Sequence, residues 1–379
     1  MAAVRGNGRR AMFGFARKQS PLLGIDIGSA AVKLLELGPA AGKGLKPLRV
    51  EALALEPLPS GAVVEKKIAD AAKVGQAITI ALRRSRSKTK RAAVAVAGSA
   101  VMTKVLSLGA DLSDAEMEAQ IQLESDQYVP YPLDEVNLDF DVIGPTQGAV
   151  GMVDVLLAAS RRENIDDRVA ALEHAGLSAV IVDIESNAVE TAFSALRAPL
   201  VPGLGTAPGT TRLTAIADIG ATTTTLHVLR AGQTLYTREQ SFGGQQLIDE
   251  VQRCEDLMRD PKSDQGSEQA LARLAAAPPT RQAEVLAPFQ NALARQLGRA
   301  LQFFYSTTAF NSVDEVLLTG GVTQVPALER PIAESLALPV RIVDPLAEMA
   351  LSDDLDRNLV QNNRGAMLIA LGLALRRFR

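Results

Sequence analysis

One short turn occurs twice in this chain. Leu22-Leu-Gly-Ile-Asp-Ile-Gly-Ser-Ala-Ala-Val-Lys-Leu34 aligns with Thr214-Ala-Ile-Ala-Asp-Ile-Gly-Ala-Thr-Thr-Thr-Thr-Leu226 at a constant offset of 192 residues, Asp26 falling on Asp218. Each copy reads as an apolar strand, an Asp-Ile-Gly corner, a few small or hydroxyl residues and a second strand. A glycine after a strand lets the backbone turn steeply and brings N–H groups toward a ligand with no Cβ in the way. Such amides form an anion-binding nest. A duplication of this unit predicts two halves of one α/β topology, each presenting an anion-binding corner. The 379 residues leave room for both, since a domain takes roughly 150.

The corners carry more than glycine. Gly28 is followed by Ser29, and Gly220 by Thr222 and Thr223, which add hydroxyl donors. Asp26 and Asp218 place carboxylates at the same mouths, where they would repel phosphate unless a divalent cation stood between. Mg²⁺ suits this, because it keeps several waters and uses few protein carboxylates. Lys33, on the second strand, supplies a point charge for phosphate if its hairpin folds back. Val313-Asp-Glu-Val-Leu-Leu-Thr-Gly-Gly-Val322 is a third strand-to-glycine corner. There Gly320 and Gly321 would let a flat nucleoside lie against the backbone.

Composition narrows the chemistry. One cysteine, Cys254, permits no internal disulfide and fits a reducing compartment, and His174 and His227 alone cannot build a zinc cluster. The longest uncharged apolar runs, Ala92–Met102 and Gly365–Leu375, are 11 residues each, whereas a spanning helix needs about 20. The reading is a cytosolic chain without a transmembrane segment. Residues 1–20 form a flexible basic tail with five positive charges and no acid. A first half follows over 21–198, a Pro/Gly/Thr-rich linker over 199–212 and a second half over 213–379, with 260–280 a peripheral excursion. A helix is predicted over Ile68–Leu82, running into Arg83–Arg91, six positive charges in nine residues. Without interleaved aromatics that run reads as a solvated loop.

An α+β subdomain is expected inside the first half at about 104–145. Gly109–Phe140 holds nine acids and no Lys or Arg. Ser113-x-x-Glu116 is a capping box, and Met117, Ile121 and Tyr128 continue an apolar helix face. Tyr128 and Tyr131 stand together at the end of that helix. With Met117 and Ile121 they are the candidate partner-binding residues, since aromatics beside a groove anchor short peptides.

Asp26-Ile-Gly-Ser-Ala-Ala-Val-Lys33, Asp218-Ile-Gly-Ala-Thr-Thr-Thr224 and Leu318-Thr-Gly-Gly321 resemble the two phosphate motifs and the adenosine motif of the actin-like ATPase superfamily. That superfamily includes actin, FtsA, and the Hsp70 and sugar-kinase domains. The resemblance implies an α/β, actin-like two-domain fold, a ribonuclease-H-like duplication with a small inserted α+β subdomain. Its linking helices would be Glu185–Leu196 and Gly365–Leu375. From Met12 onward the chain is most similar to the type IV pilus assembly family PilM. The segments Met12-Phe-Gly-Phe, Gln127-Tyr-Val-Pro-Tyr-Pro-Leu-Asp-Glu135, Phe242-Gly-Gly244 and Ala370-Leu-Gly-Leu-Ala-Leu-Arg376 carry that similarity.

This resemblance implies ATP and Mg²⁺ between the halves, held by Asp26, Gly28, Ser29, Lys33, Asp218, Gly220, Thr222, Thr223, Gly320 and Gly321. Asp26 and Asp218 would face the metal. Ala221 stands where a hydroxyl is usual, which removes one phosphate contact. Glu185 would orient an attacking water, with Asp183 the alternative, and turnover would be slow or absent. The implied partner is the amino-terminal tail of a PilN-like inner-membrane protein, at the cytoplasmic face of that membrane beside other pilus platform components. Nucleic acid is not expected, and self-association is compatible with the family. The competing functions are a sugar or acetate kinase, for which Asp183 or Glu185 could be the base, and an FtsA-like filament.

Overall fold

The computed structural model describes residues 20–40, 48–124, 127–200, 212–256 and 278–378. The amino-terminal tail, nearly all of the linker and nearly all of the 260–280 excursion lie outside them. The first half begins with a meander of β1 (Leu23–Ile27), β2 (Ala31–Pro39) and β3 (Leu48–Pro57). A ribbon of β4 (Val63–Val64) and β5 (Lys67–Ile68), helix α1 (Ala71–Ser85) and β6 (Arg91–Val96) follow. The small module is β7 (Val101–Gly109), α2 (Asp114–Glu124), β8 (Val136–Pro145) and β9 (Met152–Arg161). Then come α3 (Arg162–His174), β10 (Ser178–Ile184) and α4 (Glu185–Leu200), which leads toward the second half.

The second half repeats the plan with β11 (Leu213–Ile219), β12 (Thr224–Arg230), β13 (Gln233–Gln240), α5 (Gly244–Asp256), α6 (Pro279–Thr307), β14 (Glu315–Thr319), α7 (Glu329–Leu336) and β15 (Val340–Ile342). The sheets run β10-β6-β1-β2-β3 and β15-β14-β11-β12-β13, with equivalent strands in the same order. Register repeats as well. Asp26 faces Lys33 across β1 and β2, and Asp218 faces Thr225 across β11 and β12. The Gly28 N–H donates to the Ala31 carbonyl at 3.1 Å, and the Gly220 N–H to the Thr223 carbonyl at 2.9 Å. The repeat in sequence is therefore a repeat in hydrogen bonding.

The end of the chain departs from a contiguous second half. β16 (Ala350–Leu351) pairs with β3 of the first sheet, and after α8 (Arg357–Asn363) the helix α9 (Leu368–Leu375) returns to β1 and α4. The cause is its sequence, LIALGLAL, which is apolar on every side and needs cover all round. Every residue of α9 is buried. Two glycines make that packing close. A Cβ on Gly24 would stand 2.1 Å from the Ala370 carbonyl oxygen, and one on Gly372 1.8 Å from that of Ala188.

Other boundaries shift for local reasons. Ile68 lies on β5, and α1 starts at Ala71, where the Asp70 carboxylate caps the Lys73 N–H at 3.0 Å. Arg83–Ser85 continue α1, and Arg91 opens β6, so the basic run is split between a helix end, a five-residue connection and a strand. The small module spans 101–161 rather than 104–145, because β9 is the central strand of its sheet, order β7-β9-β8. Its capping box forms as expected, the Ser113 N–H donating to Glu116 Oε2 at 2.7 Å.

Candidate functional site

The two Asp-Ile-Gly corners face one another. The Thr222 hydroxyl donates to Ser29 Oγ at 2.9 Å across the gap between the halves. A phosphate chain entering there would take over both hydroxyls. The Phe242-Gly-Gly244 segment sets the second corner. The Gly244 and Gln245 N–H groups donate to the Gly220 and Ala221 carbonyls at 2.9 and 2.7 Å, so both oxygens are occupied rather than left to repel an anion. Gly320 packs directly behind this corner at φ +97, where a Cβ would meet the Ile219 carbonyl oxygen at 2.2 Å. A Cβ on Gly321 would meet nothing within 4 Å, so that backbone is open to a flat group.

Charge in the cleft is dense, and four acids, Asp26, Asp218, Glu185 and Glu239, surround two lysines. Lys33 Nζ lies 2.6 Å from Asp26 Oδ2. Lys66 Nζ reaches Glu185 Oε2 at 2.6 Å, Thr225 Oγ1 at 3.2 Å and Glu239 Oε1 at 3.3 Å, joining the first half to the second. Burial by itself lowers the pKa of each lysine. Asp26, Asp218 and Glu185 overcome it at Lys33, and Glu185 and Glu239 at Lys66, so both stand above the ordinary lysine value. The Asp218 carboxyl is pushed up to about 6, first by burial and then by Asp26 and Glu185, against the pull of Lys33 and Lys66. His227, buried behind Thr237, is lowered to about 3 by burial and by Lys66, and stays neutral.

Among the described residues no three His, Cys, Asp or Glu side chains converge to enclose a metal. Mg²⁺ here would take most of its ligands from phosphate and water, as it commonly does. Asp218 fits that arrangement: its carboxylate is half-buried, faces two other acids and makes no hydrogen bond or ion pair among the described residues. Asp26 fits less directly, since Lys33 holds one of its oxygens. The other sequence candidates separate clearly. Asp183 accepts from the Ile184 N–H at 2.8 Å and from Asn187 Nδ2 at 3.1 Å, with Arg376 3.4 Å away, and so caps α4. Glu185, the first residue of that helix, reaches the cleft and is engaged by Lys66.

Away from the cleft, a cavity of about 760 Å³ lies on the small module between α2 and β8. Ile121, Leu133, Leu138, Phe140 and Leu157 give it apolar walls, and Asp114, Glu118, Asp134 and Asp139 outnumber Arg162 in its charged lining. Of the four expected anchors, Ile121 alone lines it. Met117 packs into the module's core with Leu106 and Leu108. The tyrosines lie past the end of α2 at Glu124. Tyr128 donates to Glu124 at 2.8 Å under Lys104, and Tyr131 is exposed near Arg161.

Lys66 was not legible as a site residue. It occupies the second position of a two-residue turn whose residues, Glu65 and Lys66, both have positive φ, +49 and +62. Hairpin turns of that kind are signalled by Asn-Gly or Asp-Gly, and Glu-Lys gives no such cue. Arg168 offered a fainter one, a cation among the apolar positions Ile165, Val169 and Leu172. It is buried and donates to the Ala95, Asn164 and Lys66 carbonyls at 2.6, 2.7 and 3.2 Å, tying the turn to α3.

Duplicated sheets closing on two phosphate-type corners, joined by crossing helices, define an actin-like ATPase fold. The solved structures similar to this chain agree. One described as the PilM–PilN type IV pilus biogenesis complex is 26% identical, covers 95% of this chain and 99% of its own, and superposes with a TM-score of 0.73. The ethanolamine utilization protein EutJ from Carboxydothermus hydrogenoformans shares the fold at 16% identity, covering 93% of this chain and 88% of its own, with a TM-score of 0.52. Residues 24–378 match the family of the type IV pilus assembly protein PilM, and the chain belongs to that family.

Proposed function

We propose that this chain is a nucleotide-loaded docking protein of a type IV pilus assembly platform, holding Mg·ATP between its halves and a PilN-like tail on its small module. The observation that carries the reading is the pair of matched corners meeting through Ser29 and Thr222 at 2.9 Å. The amides after Gly28 and Gly220 and the hydroxyls of Ser29, Thr222 and Thr223 would cradle the phosphates. Lys33 would neutralise them, and Gly320 and Gly321 would carry the nucleoside. Asp218 would hold a Mg²⁺ ion, which would supply charge neutralisation to the phosphates. Glu185 would be the carboxylate that orients a water, but Lys66 already engages it, which favours slow or absent turnover.

One similar solved structure is a PilM–PilN complex, and the acidic cavity suits a tail of apolar and basic residues. Its walls would hold apolar side chains, while Asp114, Glu118, Asp134 and Asp139 steer the approach. Among the described residues no helix is long and apolar enough to cross a membrane, so the partner would supply the inner-membrane tether. The test is a titration of a PilN-like amino-terminal peptide into wild type, Tyr131→Ala and Phe140→Ala. Loss of a buried aromatic anchor should weaken binding by about 2 kcal/mol, near thirtyfold. Phe140→Ala should show it and Tyr131→Ala a smaller effect. Unchanged affinity in a folded Phe140→Ala protein would place the tail elsewhere.

A further inference from the structure

We propose that the end of the first half opposite the nucleotide cleft docks on an anionic phospholipid surface. β1 and β6 are parallel, with Leu23 beside Ala92. The cleft corner lies at the carboxyl end of β1, so the connection from α1 into β6 lies at the far end. That connection and its flanks expose Arg83, Arg86, Lys88, Lys90 and Arg91. None of the five has an ion-pair partner among the described residues.

The connection is built rather than loose. The Ser87 hydroxyl donates to Glu36 Oε2 at 2.5 Å and the Thr89 hydroxyl to Glu36 Oε1 at 2.9 Å. The carboxylate beneath the loop is thus taken by hydroxyls, and the cations are left to face outward. The Ser178 N–H donates to the Lys90 carbonyl at 2.8 Å and fixes the other side. Such pinning removes part of the ordering cost that a mobile basic loop would meet on binding. The charge is local, for the chain as a whole carries −3.

A further guanidinium and an aromatic ring lie at the same end. Arg377 donates to the Leu37 carbonyl, next to Glu36, at 2.5 Å, and its guanidinium lies 5.4 Å from the ring of half-exposed Phe378. Mixed basic and apolar groups suit a lipid interface. Nucleic acid is disfavoured, since 83–91 contains no aromatic on which a base could stack.

The test is co-sedimentation of the full chain, without nucleotide or tail peptide, with phosphatidylcholine vesicles alone or containing about one-third phosphatidylglycerol. Its outcome is therefore independent of the cleft and the acidic cavity. Each cation near such a surface strengthens partition about fivefold. Arg86→Glu/Lys88→Glu/Lys90→Glu should lower partition onto anionic vesicles about a hundredfold or more. Arg295→Glu/Arg299→Glu on α6 should change it only a few-fold, and high salt should abolish wild-type binding. All these side chains are exposed, so melting curves should match wild type. The proposal is overturned if the triple variant binds like wild type, if the α6 variant loses as much, or if wild type prefers a DNA duplex to the anionic vesicles.

Discussion

Replacing Lys66 with Met removes an ammonium that three groups share. Its side chain is 17% exposed, and Glu185 and Glu239 are 10% and 18% exposed, so all are shielded but not dry. Breaking a buried pair on one side costs about 3–5 kcal/mol. Residual water access brings the expected loss to about 2–3 kcal/mol. Replacement by Gly removes the same charge but also relieves the left-handed backbone at φ +62, which costs a non-glycine residue roughly 1–2 kcal/mol. After the larger unfolded-state entropy of glycine, Lys66→Gly should be more stable than Lys66→Met by about 1 kcal/mol. Lys66→Met/Glu185→Gln should recover about 1 kcal/mol of the Met loss, because one uncompensated carboxylate is gone. Urea denaturation at neutral pH, with midpoints compared at constant slope, ranks the variants. A Met variant as stable as wild type would refute the charge argument, and a Gly variant weaker than Met would refute the strain.

Asp218→Asn should stabilise the free protein at pH 7. The folded carboxyl titrates near 6 and the unfolded one near 4, so folding is favoured by acid and the benefit is lost as pH rises between them. Two units correspond to about 3 kcal/mol, reduced to about 1–2 by the partial exposure of the carboxylate. His227 acts in the opposite sense: below about pH 6.5 the unfolded chain gains a proton that the folded one refuses down to about 3, so stability falls with acid. Melts between pH 4 and 6 should therefore fall more steeply toward acid in Asp218→Asn than in wild type, and less steeply in His227→Gln. Parallel slopes in all three would contradict both assignments. Gly372→Ala would drive a methyl into the Ala188 carbonyl, separating α4 from α9 at about 3 kcal/mol, and a melt within a degree of wild type would show the helices not so close.

The repeat was legible because a register is a pattern in sequence. Asp26 and Asp218, Gly28 and Gly220 hold equivalent places, and the residues between them fix the same turn. The return of α9 to the first half was less visible. Its run of eight apolar residues signals burial but not between which partners. Lys66 escaped because its position depends on a strained turn, and on Glu185, Thr225 and Glu239, which lie more than a hundred residues away. The tyrosines illustrate the converse. They sit together in sequence, but α2 ends before them, and the cavity is walled instead by Leu138 and Phe140 of β8.

The most direct test of the account is a crystal structure of the full chain grown with Mg²⁺ and a non-hydrolysable ATP analogue. The expected result is phosphate density between Gly28–Ser29 and Gly220–Thr222, the nucleoside against Gly320 and Gly321, a cation beside Asp218, and Ser29 and Thr222 parted to admit the phosphates. An analogue bound elsewhere, or a saturated crystal in which Ser29 and Thr222 still touch and the cleft holds no phosphate, would contradict it.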